Sequence, residues 1–100
     1  MKMVYVTCNV GVAPVVQRMC EELEIKSYQV VNHVLAKNRK GDHRFNDEVW
    51  PGYNAILLFQ FSDPALYDVF MARLASYNEQ VDNPNELLTV ASWGLDQFFY

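Results

Sequence analysis

Most of the residues able to do chemistry in this 100-residue chain sit in one charged stretch. Asp42, His43, Asp47 and Glu48 fall within seven residues, and His33 lies shortly before them. Imidazole nitrogens with carboxylate oxygens are a donor set for Zn²⁺, Ni²⁺, Co²⁺ or Cu²⁺, so a divalent transition metal is a candidate cofactor, though the residues name none. A solvated charged loop is the alternative, because no pair of these residues has the i, i+4 helical register of a strong site. His33 alternates with Val34 and shares a side with Val31 and Leu35. It reads either as a further ligand or as a hydrogen-bonded histidine of a sheet. The same stretch carries Lys37, Arg39 and Lys40, which suit an anionic ligand or an acidic partner.

Enzyme chemistry finds little else to work with. Cys8 and Cys20 are too far apart for a C-x-x-C motif, and their apolar neighbours make them buried thiols. Cys8 with His33 as nucleophile and base across adjacent strands has no orienting acid in view. The chain has no G-x-S-x-G elbow, P-loop, G-x-G-x-x-G or H-E-x-x-H. The expectation is a protein that is not an enzyme.

The elements that must position these groups follow from periodicity. Met3 to Cys8 is a β-branched and aromatic run ended by Asn9-Val10-Gly11, and predicts a strand. Val15, Val16, Met19, Cys20 and Leu23 then recur at helical spacing, with Pro14 suited to the first turn. Tyr28 to Ala36 predicts a second strand and Tyr53 to Phe61 a third. Ser62-Asp63-Pro64 starts a second helix, whose stripe is Leu66, Val69, Phe70, Leu74 and Tyr77. Asn78 to Asn85 is a loop, Glu86 to Trp93 a fourth strand, and Phe98-Phe99-Tyr100 an aromatic tail after Gly94.

The order βαββαβ predicts one α+β domain over residues 1–100 with a ferredoxin-like fold, a four-stranded antiparallel sheet with both helices on one face. A lone sheet of this kind leaves its other face wet. Yet the third strand places Tyr53, Ala55, Leu57, Phe59 and Phe61 on one side and still has Ile56 and Leu58 on the other. A strand apolar on both faces belongs to a sheet covered twice, so a second copy of the chain is expected to cover it. Trp93, with Phe98 and Phe99, fits the same subunit packing.

Strands two and three are separated by Lys37 to Gly52, far longer than the roughly two to five residues of a tight hairpin. Long charged loops broken by glycine and proline are commonly functional. Trp50 precedes Pro51 and is therefore held extended at the loop's exit, as an anchor of its base or a cleft wall.

Composition removes several partner classes. A formal charge of −4 argues against nucleic acid. No stretch approaches the roughly 18 apolar residues that would insert into a membrane. The apolar run after Lys2 breaks at Asn9 to Gly11, too soon for a signal peptide, so a cytoplasmic location is expected.

The element order with its long loop resembles the nitrogen regulatory P-II-like superfamily. Gly41-Asp42-His43 leading to Val49-Trp50-Pro51-Gly52-Tyr53-Asn54 is similar to a subgroup associated with heavy-metal efflux. Pro84-Asn85-Glu86-Leu87-Leu88-Thr89-Val90 resembles the P-x-E-L-L-x-V segment of the CutA divalent-cation-tolerance family, a structural relative. The first resemblance implies a signalling trimer that senses a small ligand or metal ion at clefts between subunits. Residues 37–52 would be its mobile T-loop, with Gly41, Trp50, Pro51 and Gly52 in the ligand or partner loop, acting on a membrane transporter or regulatory protein. The CutA likeness implies instead a cation-binding or structural trimer whose loop is an interlocking arm. P-II proteins bind ATP or ADP through a glycine- and lysine-rich loop before the last strand. Here that loop, Glu79 to Asn85, has no Gly and no Lys, so the residues speak against ATP and ADP.

Light scattering at micromolar concentration is expected to return a mass that is a multiple of the protomer's; a monomer mass contradicts the doubly covered sheet.

Overall fold

The structure is a computed structural model and describes residues 1–99; Tyr100, the last residue of the aromatic tail, lies outside the described residues. The chain runs β1 (Lys2–Asn9), α1 (Ala13–Glu22), β2 (Gln29–Val34), β3 (Asn54–Phe61), α2 (Pro64–Gln80), a 3₁₀ turn (Pro84–Glu86) and β4 (Thr89–Gly94). The strands form one antiparallel sheet in the order β2-β3-β1-β4, the ferredoxin-like arrangement.

Local chemistry accounts for the helix ends. Asp63 caps α2 by accepting from the Ala65 and Leu66 amides at 2.9 and 3.4 Å, with Pro64 beside it where no N–H is needed. Helix α1 closes in a Schellman motif: the Ile25 amide donates to the Cys20 carbonyl and the Glu24 amide to that of Glu21. The motif needs a left-handed residue after the helix, and Glu24 adopts it at φ 57°.

The core lies between the helices and one face of the sheet. Val4, Val6 and Cys8 of β1 and Ala55, Leu57, Phe59 and Phe61 of β3 meet Val16 and Cys20 of α1 and Phe70 and Leu74 of α2. Phe70 seats against Phe59 and Phe61 with ring centroids 4.7 and 5.3 Å away. Val69 does not join this stripe; it is 47% exposed, because Leu66, Phe70 and Leu74 already complete the seam at four-residue spacing.

The other face carries Met3 and Tyr5 of β1, Ile56 and Leu58 of β3, Val31 of β2 and Trp93 of β4, by the register of the pairs. Trp93 and Val31 remain 47% and 48% exposed in the single chain. Such a patch is what a second protein surface would cover.

Strand β2 corrects one expectation. Its pairing with β3 shifts between Val31 and Val34, and His33 sits in the shift at φ 61°. A bulge breaks the two-residue alternation. His33 is thus exposed on an edge strand, with its ring 4.7 Å from that of Tyr53, rather than seated in the sheet beside Val31. The order β2-β3-β1 also places β3 between Cys8 and His33, so those two residues are not on adjacent strands.

Phe59→Ala is expected to cost about 3–5 kcal/mol in urea unfolding, and Val69→Ala less than about 1 kcal/mol. Equal losses would place the core elsewhere.

Candidate functional site

The connection between β2 and β3 is built rather than open. Ala36 and Arg44 exchange both backbone hydrogen bonds at 2.8 Å, closing residues 36–44 into a loop of their own. Inside it Asn38 makes most of the bonds. Its N–H donates to His43 Nδ1 at 3.1 Å, and its side-chain amide donates to the Asp42 carbonyl at 2.6 Å. Its Oδ1 accepts from Asn54 Nδ2 at 2.9 Å. Asn54, only 3% exposed, is the buried polar residue among those described. A buried amide is tolerated only when hydrogen-bonded, so this pair ties the loop to the first residue of β3.

The tip is a second turn. Asp47 Oδ1 accepts from the Val49 and Trp50 amides at 3.1 and 2.6 Å, the Asp47 amide returns to the Trp50 carbonyl, and the Asn46 amide donates to the Gly52 carbonyl. Arg44 reaches the Pro51 carbonyl at 3.2 Å. The Trp50 ring stands edge-on to His43 at 4.8 Å, with Phe45 on another side at 5.8 Å.

Facing the loop is the segment before β4. Helix α2 holds it: Asn78 exchanges two hydrogen bonds with the Leu88 backbone at 2.8 Å, and the Tyr77 hydroxyl donates to the Glu86 carbonyl at 2.9 Å. Burial raises the Tyr77 hydroxyl above the usual tyrosine value, with the Glu86 carboxylate adding to it. Between loop and segment lies a cleft of about 560 Å³, floored by Thr7, Cys8 and Asn9 of β1 with Asn54. Its walls are Asn38, Arg39, Lys40 and Asp42 on one side and Asn78, Pro84, Asn85, Leu87, Leu88 and Thr89 on the other.

The residues expected from sequence divide accordingly. Arg39, Lys40 and Asp42 line the cleft, and Gly41 presses against its far wall at Asn85. Lys37, Trp50, Pro51 and Gly52 stand outside the lining. His43 is engaged by Asn38 and Trp50, Asp47 by the tip amides, Glu48 is exposed on the tip, and His33 is on the β2 bulge. Among the described residues no three His, Cys, Asp or Glu side chains converge as a metal site would require. What holds the cleft is amide chemistry, from Asn38, Asn54, Asn78 and Asn85, none of which has a local sequence signature.

The cleft's charge is simple. The ion pair among the described residues is Arg73–Glu22 at 2.7 Å, between the two helices. Among the described residues Arg39 and Lys40 form no ion pair, and they share the cleft lining with the Asp42 carboxylate, leaving one net positive charge for an anion. Cys8 on the cleft floor is held as the neutral thiol near neutral pH: burial pushes it up to about 11, as it does that of Cys20.

No family model matches the sequence, and no curated protein is significantly similar to it. Solved structures do share its fold. CPII from Thiomonas intermedia K12, a nitrogen regulatory PII-like protein, superposes in its apo form with a TM-score of 0.59 at 11% identity, over 92% of this chain and 87% of that one. The same protein bound to ADP and bicarbonate gives 0.66 at 9% identity, over 96% and 88%. A protein from Thermus thermophilus assigned to PII-like signalling gives 0.61 at 15% identity, over 92% and 83%. The fold is therefore that of the PII-like proteins. Among the described residues, no helix is long and apolar enough to cross a membrane.

The two raised thiols set an alkaline limit. The fold favours the neutral thiol, so this stability is complete below about pH 9 and is lost as pH rises toward about 11. Melting temperature is expected to fall more steeply from about pH 8.5 to about 10.5 in wild type than in a Cys8→Ala/Cys20→Ala variant, and neither thiol should be alkylated in the native protein at about pH 8. Parallel pH profiles, or rapid native alkylation, would contradict that burial.

Proposed function

We propose that this chain is a PII-like regulatory protein that binds a small anionic ligand in the cleft between its long loop and the segment before β4. It works as a homo-oligomer, a trimer by likeness to the PII fold, and acts on a partner protein through that loop. One observation carries the ligand reading: Arg39 and Lys40, in no ion pair among the described residues, line an amide-rich cleft at the junction of two separate chain segments. Its volume falls within the roughly 300–1,000 Å³ of small-molecule sites. The apolar open face of the sheet supports the oligomer, since Val31 and Trp93 need a cover.

The residues also rank the ligands. CPII has been described with ADP, AMP and bicarbonate bound. Two cations beside the Asp42 carboxylate suit one phosphate or carboxylate, and residues 81–88 before β4 offer a polyphosphate no lysine or glycine. AMP and bicarbonate therefore fit this cleft better than ATP. The amides of Asn38, Asn78 and Asn85 supply the donors and acceptors that a base or ribose would use.

Calorimetry with AMP, ADP, ATP and bicarbonate tests the reading. It expects saturable binding of AMP or bicarbonate, weaker ATP, and a loss of about tenfold or more in Arg39→Ala/Lys40→Ala, since hydrogen bonds to charged groups are worth the most. Heats unchanged by the double variant, or none from any of the four, overturn it.

A further inference from the structure

We infer that residues 36–44 are a strap latched across one side of the cleft by Asn85, and that this latch sets how readily the strap opens. The Asp42 amide donates to Asn85 Oδ1 at 2.5 Å, and Asn85 Nδ2 donates back to Asp42 Oδ2 at 3.4 Å. These are contacts between segments 43 residues apart in sequence, so they fasten the strap to another part of the fold rather than to itself.

Gly41 shows how close the approach is. It has φ 80°, and a Cβ there would lie 2.6 Å from Asn85 Oδ1 and 3.0 Å from the Pro84 carbonyl oxygen. No other residue type fits both that backbone conformation and that gap. The receiving side is held independently. The Asn85 amide donates to Asn83 Oδ1 at 3.0 Å within the turn, and Tyr77 and Asn78 fix the turn to α2. The strap is the movable partner. Arg39, Lys40 and Gly41 are exposed, and its attachment is polar with little apolar burial, the signature of a segment with low opening free energy. An anion that draws Arg39 and Lys40 inward would compete with a contact of modest strength. The purpose of the latch rests on the ligand reading given above; its existence does not.

Limited trypsinolysis of the full, ligand-free protein tests it directly, because Lys37, Arg39, Lys40 and Arg44 lie in the strap, while Lys26 lies between α1 and β2 and serves as the reference. Cleavage of a transiently opened segment follows its opening equilibrium. Asn85→Ala is expected to raise strap cleavage relative to Lys26 by about fivefold, and Gly41→Ala by at least as much, with fragments assigned by mass spectrometry. Unchanged strap cleavage in both variants overturns the latch, and so does a rise matched at Lys26, which would report general loosening. If the strap opens in Asn85→Ala but no anion binds wild type, the latch stands and the ligand reading alone falls.

Discussion

The register of β1 against β3 is the constraint on which the molecule depends. From Lys2 opposite Phe61 to Asn9 opposite Asn54, the two central strands pair without interruption. That register sends Val4, Val6, Cys8, Ala55, Leu57 and Phe59 to one face, where α1 and α2 cover them. It sends Met3, Tyr5, Ile56 and Leu58 to the other, which the single chain leaves partly bare. A slip of one residue would exchange the two faces and empty the core. The same register brings the loop exit at Asn54 beside Asn9 at one end of the sheet, and so decides where a cleft can form.

At that end the protein replaces charge with amides. Asn54 anchors Asn38, Asn38 organises Asp42 and His43, and Asn78 holds the opposite wall. Each side-chain amide both donates and accepts, which lets a few residues satisfy a long irregular connection. His43 accepts from the Asn38 N–H, the Asp42 carboxylate from Asn85 Nδ2 and the Asp47 carboxylate from the tip amides. Of the loop's cations, Arg39 and Lys40 line the cleft.

Much of the fold was legible because it follows short-range rules. A β-branched and aromatic run marked β1, an apolar run marked β3, Asp63-Pro64 marked the start of α2, and the two-sided apolar content of β3 marked a partly bare apolar face. Three features were not legible, each for a reason. His33 sits in a bulge, and an inserted residue leaves no trace in a two-residue pattern. Glu24 adopts the left-handed position that glycine usually marks. The hydrogen bonds of the long loop reach Asn54 and Asn85, which composition and spacing within the loop do not mark. For the candidate site, the basic pair was visible as charge; the asparagines around it were not, since an asparagine on a surface and one in a network look the same in a sequence.

The central claim is that the long loop is an ordered wall of a cleft in the ligand-free protein. Amide hydrogen exchange followed by NMR measures this most directly. The amides of Ala36, Asn38, Asp42 and Arg44, all hydrogen-bonded in the loop, should exchange measurably slower than an unfolded chain, though faster than the core strands. Exchange of all four at the rate of an unstructured peptide would contradict the account.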